Sequence, residues 1–292
     1  MKDLNGAVAV ITGGAGANSI GKATARLFAA QGAKIVIADV DAVAIETAVA
    51  ELKADGHDVL GVKTDVSDLA SMRALADAAF DHYGQVDIAF LNAGISGGTT
   101  LFEDDLAAWD RVFGVNLFGI LHGIKAFAPR MIAQGTPGHI LGTSSGAGAV
   151  GTMYQTPGYS VSKAGVVSLM ECLYGTLRDA DSQIRAHVVL PPLTQTNLAG
   201  NPDLMPMVQA GLEAGGAVAV LAQPDEVAVT VLEAILADSF WVHHGHEADA
   251  RLSDGRYKGD IDWQDDIIRA RAASIIDRTA PDAYIWGMKT PS

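Results

Sequence analysis

The sequence predicts an α/β protein built on one doubly wound parallel sheet of about seven strands, with helices on both faces. Three observations lead there. Short runs that are apolar at every position, such as Val8-Ala9-Val10-Ile11 and Ile35-Val36-Ile37-Ala38, recur along the chain, as strands buried on both faces require. Longer stretches with helical spacing separate them, the alternation that parallel strands and crossover helices produce. The 292 residues, 49% of them hydrophobic, suit one large domain over residues 1–292.

In order, Val8 to Thr12 reads as the first strand, followed by a helix from Lys22 to Gln31. Ile35 to Asp39 is the second, with a helix from Ala42 to Ala54. Leu60 to Thr64 is the third, with a helix from Leu69 to Tyr83. Val86 to Asn92 is the fourth, followed by a long helix near Trp109 to Met131. His139 to Thr143 is the fifth, with a helix from Ser162 to Asp179. Arg185 to Leu190 is the sixth strand and Phe240 to His243 the seventh. Right-handed crossovers wind such a sheet outward in two directions. Residues 193–223 break this rhythm with Gly200-Asn201-Pro202, Met205-Pro206-Met207 and Gly215-Gly216, and predict a lid over a binding site. Residues 249–292 are a C-terminal extension with one helical stretch, Trp263 to Arg278.

Composition narrows the partners. A net charge of −14 repels phosphate backbones, so nucleic acid is not expected. The apolar runs are interrupted before the 18 residues or so that a membrane span needs, and no membrane association is expected. The N-terminus lacks the apolar stretch and cleavage site of a signal peptide. The single cysteine, Cys172, can form no internal disulfide. A cytoplasmic location is therefore expected. His243, His244 and His246 lie together without metal-ligand spacing, so no metal is expected. Met153, Tyr154, Met205, Met207 and Trp241 are either pocket walls or ordinary core.

The first strand runs into Thr12-Gly13-Gly14-Ala15-Gly16-Ala17-Asn18-Ser19-Ile20-Gly21 and then a helix. Glycines let a backbone turn tightly and approach a pyrophosphate, and the helix N-terminus offers free amides to the anion. Asp39 ends the second strand, 26 residues after Gly13. A carboxylate there accepts both ribose hydroxyls of an adenosine half and repels a 2′-phosphate. Two unit charges at about 4 Å repel by about 1 kcal/mol in water, and by more in a partly buried site. NAD is therefore expected over NADP; the plain alternative for Asp39 is an exposed loop aspartate.

Tyr159 and Lys163 are spaced i, i+4 and share one helix face. A neighbouring ammonium lowers the phenol from its ordinary pKa of about 10, which makes the pair a tuned general acid and base. Upstream, Gly142-Thr143-Ser144-Ser145-Gly146-Ala147-Gly148 brings hydroxyls to the end of the fifth strand. Asn92-Ala93-Gly94 ends the fourth, and Asn116 lies on the long helix, where its amide needs a partner.

Taken together, the Gly-rich turn, Asp65-Val66, Asn92-Ala93-Gly94, Asn116, Ser145, Tyr159-x3-Lys163 and Pro191 to Thr196 resemble, in order, the short-chain dehydrogenase/reductase family over the first 200 residues or so. The resemblance implies a Rossmann-type fold. It implies that Tyr159 exchanges the hydroxyl proton, Lys163 binds the nicotinamide ribose, Ser145 orients the substrate oxygen and Asn116 holds a water in a proton relay. It also implies that Gly13, Ser19 and Ile20 approach the pyrophosphate while Gly21 packs the helix, that Asp65 and Val66 hold the adenine, and that Asn92, Ala93 and Gly94 line the cleft. Thr194 and Thr196 would fix the carboxamide. The implied activity is hydride transfer between NAD(H) and a small-molecule substrate, a secondary alcohol or ketone, by a homodimer or homotetramer; the apolar composition of residues 193–223 suggests that this substrate is medium-sized and hydrophobic or aromatic.

The sequence departs from the family in three places. The turn carries two extra residues, with Ser19 where a glycine is usual, a form similar to the enoyl-reductase branch. That branch places a tyrosine seven residues before the lysine, where this chain has Thr156. Ser145 lies 14 residues before Tyr159, one more than usual, and is preferred to Ser144 because Ser145-x-Ala147-Gly148 fits the pattern better. Pro192 replaces a glycine. The competing readings are a sugar-nucleotide epimerase or dehydratase, an enoyl reductase, and an inactive dinucleotide-binding sensor.

Overall fold

A computed structural model describes residues 3–97, 100–149, 156–199, 221–243, 284–285 and 288–289. Its centre is a seven-stranded, all-parallel sheet of β1 Val8–Thr12, β2 Lys34–Asp39, β3 Val59–Lys63, β4 Ile88–Leu91, β5 Gly138–Thr143, β6 Ile184–Leu190 and β7 Trp241–His243. The spatial order is β3-β2-β1-β4-β5-β6-β7. The order reverses between β1 and β4, which opens the crevice at the carboxyl ends where doubly wound sheets bind ligands. The expected strands agree within a residue or two. A two-residue hairpin, β8 Tyr284–Ile285 with β9 Met288–Lys289, is described separately.

Alternation along the strands divides the core in two. Ala9, Ile11, Ile35 and Ile37 pack with Phe28, Ile45, Leu52, Val231 and Ile235, beneath α1 Ile20–Ala30, α2 Ala42–Ala54 and α8 Pro224–Leu236. Val8, Val10 and Val36 pack with Met72, Leu75, Phe127, Met131 and Met170, beneath α3 Leu69–Tyr83, α5 Gly119–Gln134 and α7 Pro157–Asp179. Each large apolar side chain fully buried this way contributes about 1.5–3 kcal/mol. Side chains cap the helix starts. Asp41 accepts the Val43 amide at 2.9 Å, and Asp68 accepts that of Ala70 at 3.0 Å.

Three differences from the sequence reading have physical causes. The helix α8 was not expected, although Pro224 at its first turn, Asp225, and a capping box between Gln223 and Glu226 mark its start. The long helix is three pieces, α4 Leu106–Phe113, a π-turn Gly114–Phe118 and α5. Together Leu106–Gln134 passes the length and composition test for a membrane span, with mean hydropathy 1.3, but its apolar residues Val112, Ile120, Phe127 and Met131 are buried in the protein. Lastly, α7, which follows the short helix α6 Gly146–Ala149, begins at Pro157, earlier than periodicity indicated, because proline suits a first helical turn. Trp241 is core, stacked edge-on against Phe240 at 5.1 Å. Met153, Tyr154, Met205, Met207, His244, His246 and the stretch Trp263 to Arg278 lie outside the described residues.

At the amino edge of the sheet, two buried histidines join β5 to β6. His187 Nδ1 faces the Ser239 carbonyl at 2.7 Å, and its Nε2 meets His139 Nδ1 at 2.8 Å. The carbonyl can only accept, so His187 donates from Nδ1, and His139 must then donate to His187 Nε2. Burial pushes both rings below the ordinary histidine range, and for His139 the neighbouring His187 adds to it. Arg185 acts in the same direction, while the Ser239 bond and Asp238 oppose it at His187. The unfolded chain therefore binds more protons than the folded one below about pH 6.5. The stabilisation is complete above that value and is lost as pH falls. Unfolding free energy measured by urea titration should fall between pH 7 and pH 5 with a limiting slope near two protons, about 2.7 kcal/mol per pH unit. A flat profile would contradict a neutral pair.

Candidate active site

The cleft lies over the carboxyl ends of β1, β4, β5 and β6. Thr12 and Asn92 stitch these ends together. Thr12 Oγ1 accepts the amides of Asn92 at 2.9 Å and Ala93 at 3.1 Å, while Asn92 Nδ2 donates to the Thr12 carbonyl at 3.1 Å. Thr143 Oγ1 in turn donates to Asn92 Oδ1 at 3.3 Å. The Asn92 side chain is thus committed to holding three strand ends at one level.

The turn after β1 is tightly built. Gly13 has φ +64°, and a Cβ on Gly21 would stand 2.4 Å from the Gly13 carbonyl oxygen, so neither position accepts a side chain. Ser19 caps α1: its hydroxyl accepts the Lys22 amide at 3.1 Å and donates to the Gly16 carbonyl at 2.9 Å. That leaves Ser19 and Ile20 to offer only backbone amides. Neither amide bonds to any described residue, the state expected of a helix start that receives an anion. Asp39 is held over this turn, its carboxylate accepting the amides of Ala15 at 3.2 Å and Asp41 at 3.3 Å. Free amides, a glycine cradle and an oriented carboxylate fit a dinucleotide.

Asp65 and Val66 follow β3. Asp65 is exposed, with one carboxylate oxygen accepting both the amide and the hydroxyl of Ser67. Val66 is buried, and its carbonyl meets His122 Nδ1 at 2.9 Å. After β6, Thr194 is buried and donates its hydroxyl to the Pro192 carbonyl at 2.8 Å, so it can only accept from a ligand. Thr196 is half-buried and caps the 3-10 turn Asn197–Ala199. Residues 200–220 of the expected lid lie outside the described residues. Its base is closed where Gln195 donates to the Ala222 carbonyl at 2.9 Å.

Ser145, Tyr159, Lys163 and Asn116 converge on the ends of β4 and β5. Ser145 Oγ accepts the Ala147 amide at 3.2 Å, which turns its own proton towards the Tyr159 hydroxyl. Ser144 faces away and donates to the Lys163 carbonyl at 2.6 Å. Lys163 is 3% exposed, and its ammonium donates to the Thr143 carbonyl at 2.9 Å. The π-turn aims the Asn116 amide inward, where it donates to the Ile95 carbonyl at 3.0 Å and Ser162 Oγ at 3.1 Å and accepts the Ile95 amide at 2.8 Å. Gly94 keeps the group accessible, since a Cβ there would lie 3.2 Å from Lys163 Nζ and 3.4 Å from Asn116 Oδ1.

The electrostatics differ from the sequence expectation. Burial dominates at Tyr159 and raises its pKa above the ordinary 10, with the Ser145 hydrogen bond pulling the other way. Burial outweighs Lys163, whose Nζ stands 5.7 Å from the phenol ring centroid and donates to a backbone carbonyl. The lysine is itself pushed down to about 8 by burial. Spacing placed the pair on one face; it did not reveal that both groups are desolvated.

A sequence profile of the short chain dehydrogenases matches residues 7–205. The chain belongs to the short-chain dehydrogenase family. It is an oxidoreductase of that family, whose members work with a nicotinamide dinucleotide. It is 41% identical over 172 residues to a C alpha-dehydrogenase of Sphingobium sp., a match covering 59% of this chain and 55% of that one. It is 40% identical over 225 residues to the cis-4-hydroxycyclohexanecarboxylate dehydrogenase of Sinomonas cyclohexanicum, covering 77% and 87%. A short-chain dehydrogenase/reductase from Burkholderia phymatum, solved in complex with NAD, superposes with TM-score 0.77 at 32% identity over 98% of this chain and 99% of that one. Within this short-chain dehydrogenase, sequence reasoning missed three contributors. They are the Thr143 carbonyl that anchors Lys163, the Ser162 hydroxyl that receives Asn116, and Asn18. Backbone acceptors leave no signal in residue identity, but the two extra residues in the turn were a signal for the last.

Proposed function

We propose that this short-chain dehydrogenase interconverts a secondary alcohol and its ketone with NAD(H). The observation that carries the reading is the convergence of the Ser145 hydroxyl, the Tyr159 phenol and the Lys163 ammonium at the crevice mouth. A nicotinamide bound there supplies or removes the hydride. Tyr159, kept protonated by its burial, is poised to give its proton to a carbonyl oxygen as the hydride arrives. In the reverse direction the phenol first gives up its own proton along the path through Lys163 and Asn116, and the phenolate then takes the hydroxyl proton. Ser145 holds the same oxygen by a second hydrogen bond and so fixes its angle to the hydride path. Lys163 steadies the cofactor ribose, and Asn116 forms with it the inner end of a proton path.

Asp39 supports NAD over NADP, and the adenosine end is proposed to rest against Asp65 and Val66. Wild type should bind NADH more tightly than NADPH, and Asp39→Ala should narrow the ratio by about tenfold, equivalent to about 1.4 kcal/mol. Fluorescence titration of both cofactors against both proteins measures this, and tighter binding of NADPH by the wild type would refute it. The substrate is proposed to be medium-sized and hydrophobic or cyclic. The apolar insertion at 193–223 and the relative that carries hydroxycyclohexanecarboxylate in its name support that choice. A homo-oligomer at work in the cytoplasm completes the proposal. The test is a panel of cyclic, aryl and steroidal secondary alcohols, following NADH absorbance at pH 7 to 9. Cofactor binding with no turnover of any alcohol, or of the matching ketones with NADH, would overturn it in favour of a dinucleotide-binding sensor.

A further inference from the structure

The two residues by which the turn after β1 exceeds the family's usual length have no part in the reaction just described, yet Asn18 within that turn makes specific contacts. Asn18 reaches across the carboxyl edge of the sheet to the segment after β6. Its side-chain amide donates to the Gln195 carbonyl at 2.7 Å, and its own carbonyl accepts the Asn197 amide at 3.2 Å. The same segment is tied down from the opposite side. The Gln195 amide donates to the Ala222 carbonyl and the Ala222 amide to the Leu193 carbonyl, both at 2.9 Å, around a parallel bridge between Thr194 and Ala222. Gln195 is therefore held from two directions, and Asn18 supplies one of them.

The place of this link matters. β4 and β5 separate β1 from β6 in the sheet, so the two anchored ends start roughly 14 Å apart at about 4.8 Å per strand. The longer turn supplies the reach. Ser19 cannot substitute, because its hydroxyl is committed to capping α1. One end carries the free amides of Ser19 and Ile20; the other carries Thr194 and Thr196.

We infer that Asn18 is a positioning residue for the cofactor. It sets the register between the pyrophosphate turn and the Thr194–Thr196 segment, so that the two halves of one dinucleotide meet partners already spaced for them. The inference rests on the dinucleotide reading above and deepens it. Preorganisation of this kind raises affinity only for a ligand that spans both ends.

Two ligands separate the possibilities. NADH spans both ends, whereas ADP-ribose carries the adenosine and pyrophosphate but no nicotinamide. In Asn18→Ala, calorimetry should show the NADH dissociation constant raised by about 3- to 10-fold, the worth of one net hydrogen bond, with that of ADP-ribose unchanged. Asn18→Gln keeps the amide donor one methylene further out and should recover part of the NADH affinity; it also reads the proposal if the alanine chain does not fold. Equal weakening of both ligands would mean that Asn18 merely shapes the turn, and unchanged NADH binding would mean that the link does nothing for the cofactor; either result overturns the inference. A wild-type protein that binds neither ligand would instead remove the dinucleotide reading itself.

Discussion

Replacing Tyr159 by phenylalanine should lower turnover by about 10²- to 10⁴-fold, the range that a positioned proton donor contributes. The substitution removes one oxygen from a ring that is 9% exposed, and so preserves the shape of the site. It removes the proton donor and the partner of Ser145 together. NADH affinity should stay within about twofold, because the phenol hydroxyl is proposed to touch the substrate oxygen and not the dinucleotide. Steady-state rates and NADH titration on the same preparation check both halves. Undiminished turnover would require a different acid, and lost NADH binding would mean that Tyr159 serves the cofactor instead.

Lys163→Met should produce an opposite pair of effects on function and stability. The thioether fills similar space and brings no charge. Turnover should fall by about 10² or more, since the ammonium proposed to hold the ribose beside Tyr159 is gone. Stability should lose a specific pH dependence. The wild-type lysine titrates at about 8 when folded against 10.5 ordinarily, so the unfolded chain binds the extra proton between those values. Wild-type stability therefore rises with pH through that window, by about 3 kcal/mol at most. Methionine cannot titrate, so the variant should lack the rise. Melting temperatures of both proteins from pH 7.5 to 10.5 measure it, and parallel curves would mean that the lysine is solvated. A buried cation retained against this cost is consistent with a site that trades stability for function.

Much of the candidate site's arrangement was legible because it depends on residue identity at short spacing. Tyr159 and Lys163 share a helix face whatever surrounds them. Gly13 and Gly21 announce a turn that only glycine can make. The choice of Ser145 over Ser144 rested on pattern alone, and the structure gives its geometry: one hydroxyl meets Tyr159, and the other is spent on the Lys163 carbonyl. The sequence reading went astray where solvation decides. The expected acid phenol is instead held protonated, because burial outweighs an ammonium turned towards Thr143. Residue identity alone also left open which atoms of Ser19 face the turn: its hydroxyl caps its own helix, which leaves the backbone amide for an anion. Nor does identity show that Asn92, at the cleft, spends its side chain on joining strand ends.

From the sequence alone came the parallel sheet and the membership of each strand, since period and composition are properties of neighbouring residues. The same is true of the pairing of phenol and amine four residues apart. Tertiary structure alone decided three further things. It buried both members of that pair, which moves the phenol's pKa up and the amine's down. It showed the commitment of Asn116 to Ile95 and Ser162 through a π-turn. It also revealed the link from Asn18 to Gln195, across 177 positions of chain. Solvation and long-range hydrogen bonds are set by what lies nearby in space, and a linear order of residues does not record that.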